Sequence, residues 1–300
     1  MKRAVALVAV LALCGVALYW AEMRKHQDIV SSEALVDAGA EWQRDLTRVP
    51  MHLTRISDDQ ETRIGDALAQ EYEDEQIKRS PGLLATERYL SQVGLQVASH
   101  SRRKLRYRFH LISSPDLINA FALPGGYIFV GQGLLDRIAS EDELAFVLGH
   151  EIEHIDHYHA VERVQIEAQL KNLDLDVIAA IAQIPMSLWQ VGYTKDEEFE
   201  ADREGLRIAA ASGYSALGAV SLLMRWTKLR DEYVIHAETP TEELSQLAIE
   251  GLNGYFRTHP LPSERLAQVQ SVIVQDHLSM DQPLKPLRGE EESSTRESTH

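Results

Sequence analysis

Cysteine is nearly missing from this chain: its 300 residues contain one, Cys14. A single cysteine excludes an intrachain disulfide framework and a cysteine-rich zinc site. Basic residues are also in deficit, with 30 Lys and Arg against 46 Asp and Glu and a net charge of −16. Nucleic-acid-binding proteins carry basic patches, so this balance argues against nucleic acid as a partner. The hydrophobic content of 44% and charged content of 25% are those of an ordinary globular protein.

Long apolar runs are scarce, and the clearest one lies at the N-terminus. Lys2 and Arg3 precede an uncharged stretch, residues 4–21, whose length is near the lower limit for spanning a bilayer. An uncleaved membrane anchor, a cleaved signal peptide and a lipid anchor at Cys14 are the three alternatives, and each exports the rest of the chain. The other apolar stretch, residues 177–191, is too short to span. We expect it to line a cleft or pack in the core, with a membrane-dipping segment as the alternative.

The pattern along the chain predicts a mostly helical α+β protein. Alternating polar and apolar residues predict a strand within 104–112, and two short strands flank a Pro-Gly-Gly turn within 119–130. Helical spacing prevails after Ser80-Pro81-Gly82 and again from Ser140 to about residue 275. The predicted parts are an N-terminal anchor or signal segment (1–25), a helical lead-in (26–80), the main domain (81–280) and a disordered acidic and polar tail (281–300).

The stretch 148–159, LGHEIEHIDHYH, contains the pattern H-E-x-x-H at His150, Glu151 and His154. Ser140 and Glu143 resemble a capping box, which places the pattern inside a helix. Positions i and i+4 share a helix face, so both imidazoles can reach one tetrahedral zinc ion. Glu151, beside the first histidine, is the usual general base in such a motif.

A second helix face is apolar, with Leu144, Leu148, Ile152 and Ile155 at spacings of four, four and three. One side of the helix is therefore suited to a core and another to a metal ion. The competing interpretation of this histidine-rich stretch is a solvated, charged helix face without chemistry.

A catalytic zinc ion needs a third protein ligand and an open position. The arrangement with a third histidine ten residues after the first is excluded, because position 160 is Ala and position 157 is His. A carboxylate from a later helix is the remaining common scheme. The stretch 196–205 offers several candidates. Glu198 and Asp202 are four residues apart and share a helix face, so that one could bind metal while the other holds a ligand imidazole. The candidates are Glu197, Glu198, Glu200 and Asp202. A solvated acidic face is the alternative.

The remaining charged residues of the histidine-rich stretch are expected to lie outside the metal site. His157 shares the ligand face but sits about 10 Å from His150 along the axis, too far for a common ion. We expect His157 and His159 at the surface or behind the ligands, and Glu153 and Asp156 as exposed helix charges.

Four stretches taken together resemble a known family. They are NAFALPGGYIFVGQGLL, EDELAFVLGHEIEHIDHYH, EFEADREG and THPLPSERL. In order and spacing they are similar to the zinc metallopeptidases that include the CAAX prenyl proteases, HtpX and the bacterial envelope proteases of the BepA and LoiP kind. The similarity covers about residues 80–270. The chain lacks the multiple membrane spans of the first two branches, so it resembles the soluble envelope branch more closely.

The resemblance implies a gluzincin-like fold with a small β-sheet beside the active-site helix. It implies one Zn²⁺ per chain, with His150 and His154 as histidine ligands, Glu198 as the third ligand and Glu151 as the base that activates zinc-bound water. Asp202 matches the aspartate that closes the E-x-x-A-D stretch, which leaves Glu197 and Glu200 as bystanders.

His259, in the stretch THPLPSERL, is a further candidate catalytic residue. It could donate a hydrogen bond to the oxyanion of the reaction, occupy the fourth position on zinc and hold the enzyme inactive, or cap the following helix. One of the strands NAFAL and YIFV could offer an edge on which an extended substrate adds as another strand.

The function expected from this resemblance is a zinc-dependent endopeptidase of the bacterial cell envelope that hydrolyses unfolded or misassembled proteins in quality control. We expect it at the periplasmic side of the inner membrane, attached through its N-terminal segment; soluble periplasmic and lipid-anchored forms are the alternatives. The rival functions are a non-proteolytic chaperone or binding module with the same fold, and a zinc hydrolase of non-peptide substrates.

Overall fold

The computed structural model describes residues 56–75, 81–171, 192–236 and 259–287. All of them belong to one compact unit, Met51–His300. The predicted N-terminal anchor and the apolar stretch 177–191 lie outside the described residues. None of the described helices combines the length and the apolarity needed to cross a bilayer.

The fold is mostly helical with one small sheet, which confirms the predicted class. The strands are β1 (Arg108–Ile112), β2 (Ala120–Leu123) and β3 (Tyr127–Gly131). The helices are α1 (Asp58–Glu75), α2 (Pro81–Ala98), α3 (Gln132–Leu135), α4 (Glu141–Asp156), α5 (His159–Lys171), α6 (Lys195–Ala211), α7 (Leu217–His236) and α8 (Pro262–Gln275). A short 3₁₀ turn, Pro124–Gly126, joins β2 to β3.

The described sheet has the order β1-β3-β2. β1 pairs in parallel with β3, and β2 pairs antiparallel with β3 across the Pro-Gly-Gly turn. Gly125 has a φ of 75° in this turn, a left-handed conformation that glycine adopts without strain. The predicted strand within 104–112 is confirmed for its last five residues, since β1 begins at Arg108.

Helix α4 runs through the centre of the fold. It contacts α6, α7 and α2, and its side toward the sheet contacts β2 and β3. The four apolar positions predicted to face the core, Leu144, Leu148, Ile152 and Ile155, are fully buried. The sheet therefore lies beside α4, as expected.

Helix α1 is part of the same fold and not a separate lead-in. Ile64 and Leu68 pack against Leu123, Tyr127 and Phe129 of the sheet in a second apolar cluster. Its closest approach is to the turn between β2 and β3, where a side chain at Gly65 would meet the Pro124 carbonyl oxygen at 2.0 Å.

Residues 281–287, which the composition assigned to a disordered tail, also belong to this fold. The Lys285 backbone N–H donates to Asp142 Oδ2 at 2.6 Å, and the Lys285 carbonyl accepts from the Glu141 N–H at 2.8 Å. These two bonds hold the segment against the start of α4. The segment is also held by an apolar contact, because Leu287 packs against the core. The rest of the predicted tail, 288–300, lies outside the described residues.

Candidate metal centre

Helix α4 begins at a side-chain cap and ends shortly after the histidine pair. Ser140 Oγ accepts from the Glu143 N–H at 3.2 Å, the expected half of a capping box. The reciprocal bond is shifted by one residue, because Glu143 Oε2 accepts from the Ala139 N–H at 2.8 Å. Glu143 also forms an ion pair with Arg225 of α7 at 2.5 Å, which ties the start of α4 to its neighbour.

His150 and His154 lie one turn apart on α4 and are almost completely buried. Their ring planes are nearly perpendicular, at 82°, with centroids 4.7 Å apart. The two Nε2 atoms point at the same place and are separated by 3.1 Å. The spacing of the motif thus brings together two imidazole nitrogens, as a shared metal ion requires.

Glu198 of α6 closes the group from the opposite side. Its Oε2 atom lies 3.5 Å from His150 Nε2, and its Oε1 atom lies 3.7 Å from His154 Nε2. One donor atom from each of the three residues falls within 4.8 Å of the others. Glu198 is fully buried, and its Oε1 atom has no hydrogen-bond partner among the described residues.

Helix α6 starts at a complete capping box. Thr194 Oγ1 accepts from the Glu197 N–H, and Glu197 Oε2 accepts from the Thr194 N–H at 2.7 Å. Glu197, expected to be a bystander of the metal site, therefore fixes the start of the helix. Because Glu198 follows it directly, the cap also sets where Glu198 enters the site.

Asp202 holds His150 from behind. Its Oδ1 atom lies 2.9 Å from His150 Nδ1. A carboxylate can only accept, so the imidazole proton sits on Nδ1 and a lone pair remains on Nε2. This is the tautomer of a histidine that binds metal through Nε2 and donates its other N–H to a carboxylate.

The donor set fits a divalent metal ion of the zinc type. The His150 lone pair and the buried Glu198 Oε1 atom, which has no hydrogen-bond partner among the described residues, converge on the same place, and this is unfavourable unless a cation occupies the space. Two histidines and one glutamate with an open fourth position form a known catalytic zinc arrangement. The ligand set that the resemblance implied is thus brought together by α4 and α6.

Arg265 of α8 completes the support of Asp202, and the sequence analysis missed it. Its Nε donates to Asp202 Oδ2 at 2.8 Å, and its Nη2 donates to Oδ1 at 2.6 Å. Burial alone would raise the pKa of the Asp202 carboxyl, but the Arg265 charge and the hydrogen bonds from Arg265 and His150 lower it well below its ordinary value. A signal was present: Arg265 shares the apolar face of α8 with Val269 and Val272, which are buried.

Glu151 is buried beside His150 but is not one of the three residues whose donor atoms converge. Burial, and to a smaller degree the Glu198 charge, raise the pKa of the Glu151 carboxyl to about 7, against the lowering effect of His150. A carboxyl group with this pKa exchanges protons near neutral pH, which is the property of a general base.

His259 lies just before α8 and contacts the site. Its Nδ1 lies 2.6 Å from Glu198 Oε2, and its Nε2 lies 3.4 Å from Asn119 Oδ1, just before β2. The N-cap of α8 is Leu261, without a side-chain cap. His259 therefore does not cap the following helix, and this alternative is wrong.

Tyr193 is another residue that the sequence analysis missed. Its ring stacks on His154, with centroids 3.7 Å apart and an interplanar angle of 16°. The guanidinium of Arg163 lies 3.7 Å from the centroid of the same ring. The tyrosine is thus held between a cation and a candidate ligand, and it restricts the plane of the His154 imidazole. Only its place directly before the Thr194 cap distinguishes it in the sequence.

Two charges expected to be exposed on α4 are buried, which corrects the prediction. Glu153 and Asp156 are 2% and 3% exposed. Asp156 accepts from the backbone N–H groups of Arg102 and Arg103 at 2.5 and 3.1 Å and from the Tyr107 hydroxyl at 2.7 Å. A local pattern could not reveal these partners, because they come from a loop about 50 residues earlier.

His157 and His159 lie behind the ligand histidines, one of the two placements expected for them. Both meet Glu200 of α6: His157 Nδ1 is 3.0 Å and His159 Nε2 is 3.5 Å from its Oε2 atom. The His159 hydrogen bond, the largest cause, lowers the pKa of Glu200 to about 2. Glu200, expected to be a bystander, thus has two imidazole partners.

The fold and the site together define a metallopeptidase-like protein, with two histidines and the glutamate between them on one helix and a carboxylate from a second. The sequence model of peptidase family M48 matches residues 84–273, which include every residue of this site. The chain belongs to peptidase family M48, a family of metallopeptidases.

Individual relatives agree with this assignment. The putative beta-barrel assembly-enhancing protease of Vibrio cholerae is 30% identical over 226 residues, 69% of this chain and 43% of that protein. The beta-barrel assembly-enhancing protease of Escherichia coli K12 is 27% identical over 239 residues, 72% of this chain and 44% of its own length. The mitochondrial metalloendopeptidase OMA1 of Bos taurus is 36% identical over 189 residues, 57% of this chain and 33% of its own length. The chain thus spans less than half the length of these relatives.

Proposed function

We propose that this chain is a zinc-dependent endopeptidase, with His150, His154 and Glu198 as its zinc ligands. The observation that carries the proposal is the meeting of these three side chains, with one donor atom each within 4.8 Å, beside a buried glutamate. Membership in a metallopeptidase family supports peptide-bond hydrolysis over other zinc chemistry.

Zinc in this position would supply a Lewis acid that polarises a water molecule and the scissile carbonyl. With the metal bound, Glu151 would accept the proton of the attacking water as general base and return it to the leaving amine as general acid. In the metal-free protein burial raises the pKa of the Glu151 carboxyl, so this carboxyl accepts a proton more readily than an exposed glutamate does. Asp202 keeps the His150 imidazole in its ligand tautomer through the 2.9 Å contact at Nδ1.

An extended substrate would bind along an edge of the sheet. Of the two strands considered, β3 is central in the described sheet, so that alternative is wrong, and β2 is at an edge. Asn119, next to β2, lies 3.4 Å from His259, so a chain added along β2 would pass the site. Main-chain pairing at an edge selects little side-chain sequence, which suits unfolded substrates.

His259 retains two proposed roles. As a hydrogen-bond donor it would stabilise the oxyanion of the tetrahedral intermediate. As an occupant of the fourth zinc position it would restrain activity until its loop moves. The 2.6 Å contact with Glu198 Oε2 places it close enough for either role. Loss of cleavage in His259→Ala supports the first, and a gain supports the second.

The proposed substrates are unfolded or misassembled proteins of the bacterial envelope, and the N-terminal segment, residues 1–25, is the proposed membrane attachment. The supporting fact is the name of the Escherichia coli relative, a beta-barrel assembly-enhancing protease. Quality control at the periplasmic side of the inner membrane is the corresponding biological role.

The deciding experiment compares wild type with Glu151→Gln for zinc content and for cleavage of casein. We expect about one zinc per chain in both proteins and cleavage by the wild type alone. Glu153→Gln is a matched control, because Glu153 is buried on the same helix but belongs to neither the ligand set nor the proton transfer; it should cleave. Zinc without cleavage in the wild type and in His259→Ala would indicate a binding module. Absence of zinc would overturn the proposal.

A further inference from the structure

A line of hydrogen-bonding groups leads from His154 to the surface. On the side away from the other ligand atoms, His154 Nδ1 lies 3.0 Å from His159 Nδ1. His159 Nε2 in turn lies 3.5 Å from Glu200 Oε2. His154 and His159 are buried, whereas the Glu200 side chain is 36% exposed. The three groups connect the candidate metal centre to the outer face of α6.

The carboxylate end of this line fixes its direction. Because an ionised carboxylate only accepts, His159 Nε2 carries the proton that faces Glu200. Neutral His159 then has a lone pair on Nδ1 and accepts from the N–H at His154 Nδ1. His154 is left with a lone pair on Nε2, the atom that points at Glu198 Oε1 and His150 Nε2.

We propose that His159 and Glu200 are positioning residues that set the His154 imidazole in its metal-binding tautomer. Asp202 orients His150 directly, whereas Glu200 orients His154 through the imidazole of His159. The inference rests on the proposed function, because it takes His154 as a metal ligand.

A second metal site is the competing interpretation, since His157, His159 and Glu200 also bring one potential ligand atom each within 4.8 Å. A cation there would need a lone pair on His159 Nε2 and therefore a proton on its Nδ1. That proton would face His154 Nδ1, which would have to become an acceptor and move its own proton to Nε2. His154 would then no longer be a ligand, so the two sites exclude each other.

The partners of His157 also argue against a second site. Arg102 Nη2 donates to His157 Nε2, and an arginine has no acceptor to offer. His157 Nδ1 then carries the proton and donates to Glu200 Oε2 at 3.0 Å. Both imidazoles thus direct an N–H at the same carboxylate oxygen, and neither directs a lone pair at it.

The test measures the zinc dissociation constant of the full-length chain by competition with a chromophoric chelator. His159→Ala should weaken zinc binding about 10- to 100-fold, the usual effect of losing a partner that orients a ligand. Glu200→Gln should weaken it less, because the amide oxygen can still accept. Glu200 acts through His159, so the double variant should bind no more weakly than His159→Ala.

Two further variants separate positioning from folding. His159→Asn returns an acceptor near the place of Nδ1 and should recover part of the lost affinity. His157→Ala is the matched control, because it removes the neighbouring partner of Glu200 without touching His154, and it should bind zinc as the wild type does. With Co²⁺ in place of zinc, the visible absorption bands should change in His159→Ala and stay unchanged in His157→Ala.

The outcomes distinguish this inference from the proposed function. If the wild type binds no metal, both are overturned. If the wild type binds zinc and His159→Ala binds it equally well, only the inference is overturned. A second zinc per chain that is lost in His157→Ala would likewise overturn it, as would additive losses in the double variant.

Discussion

Gly149 of α4 and Gly205 of α6 lie against each other where the two helices cross. A Cβ atom at Gly149 would lie 2.5 Å from the Gly205 carbonyl oxygen, and one at Gly205 would lie 2.6 Å from the His150 backbone nitrogen. Only glycine allows backbones to approach this closely. The contact sits next to His150 and less than one turn beyond Asp202, so it sets the distance across which α6 supplies Glu198 to the histidines.

Gly205→Ala should destabilise the protein and weaken its metal site. The obstacle is backbone that cannot rotate away, so we expect an overpacking cost of about 3 kcal/mol against a gain in helix propensity of about 1 kcal/mol. The net loss of about 2 kcal/mol is measurable by urea unfolding without metal, and zinc affinity should fall because α6 is displaced. Ala211→Gly, at the exposed end of α6, should lose at most about 1 kcal/mol and no affinity. If Gly205→Ala had the unfolding free energy and the zinc affinity of the wild type, the close helix crossing would not be what positions Glu198.

Metal binding should stabilise the fold, because buried donor atoms face one another at 3.1 to 3.7 Å. Zinc at 100 times its dissociation constant should add about 2.7 kcal/mol, or roughly 5–10 °C in Tm, and a chelator should remove it. The adjacent glutamates supply a variant and its control. Glu198→Gln should lose most of this shift, whereas Glu197→Gln should retain it because glutamine also serves in a capping box. Equal responses of the two variants would exclude Glu198 as a ligand.

The parts predictable from sequence are those encoded by local spacing. The apolar stripe and the H-E-x-x-H pattern place α4 and its two faces because helix periodicity is a property of neighbouring residues. The Pro-Gly-Gly turn at Pro124–Gly126 likewise predicts the two strands that flank it, β2 and β3. For the third metal ligand, a carboxylate, the spacing left four candidate residues. The choice of Glu198 among them came from the family resemblance.

The parts that could not be predicted depend on contacts between distant segments. Arg265 meets Asp202 across 63 positions, and strand order, which makes β3 central, is equally non-local. Glu153 and Asp156 were expected to be exposed because charges on a helix usually are. Their burial depends on the loop around Arg102, which no pattern within α4 reveals.

The Asp202–Arg265 ion pair should be far more important for stability than an exposed one. Both side chains are buried, at 0% and 3% exposure, and removal of one partner leaves the other charge without compensation. Asp202→Asn should cost about 3–5 kcal/mol, and the double variant with Arg265→Met should cost less than the sum of the single changes. Urea unfolding of the four proteins in metal-free buffer measures this coupling. Additive losses would show that the pair is not coupled.

The same pair predicts how acid unfolds the protein. The pKa of Asp202 is lowered in the folded state, since the Arg265 charge outweighs the raising effect of burial. Its contribution to stability is therefore complete above the ordinary aspartate pKa of about 3.9 and is lost as the pH falls through the lower folded value. The stability difference between wild type and Asp202→Asn should shrink only below about pH 4. A difference that disappears near neutral pH would contradict this assignment.

The ionised Glu153 carboxylate should lower the free energy of unfolding at neutral pH, whereas the neighbouring Asp156 carboxylate should raise it. Burial, the largest cause, raises the pKa of the Glu153 carboxyl against the lowering effects of the nearby His157 and Arg102, and its Oε2 atom has no hydrogen-bond partner among the described residues. When the folded pKa of a carboxyl is raised, ionisation is less favourable in the folded state, so stability falls as the pH rises through that range. Glu153→Gln should therefore be more stable than wild type at pH 8, and the gain should shrink as the pH falls toward the ordinary glutamate pKa of about 4.3.

Asp156→Asn is the control for this prediction, because it changes an equally buried carboxylate on the same helix by the same chemistry. Asp156 accepts from two backbone N–H groups and from the Tyr107 hydroxyl, and an amide group would turn a donor toward one of those donors. Loss of a buried hydrogen bond to a charged group costs about 1.5–3 kcal/mol, so this variant should be less stable than wild type at pH 8. Urea unfolding of the metal-free proteins at pH 5 and pH 8 measures both effects. Destabilisation by both variants at pH 8 would show that the Glu153 carboxylate is stabilised by the Arg102 charge, 3.8 Å away, more than it is penalised by burial.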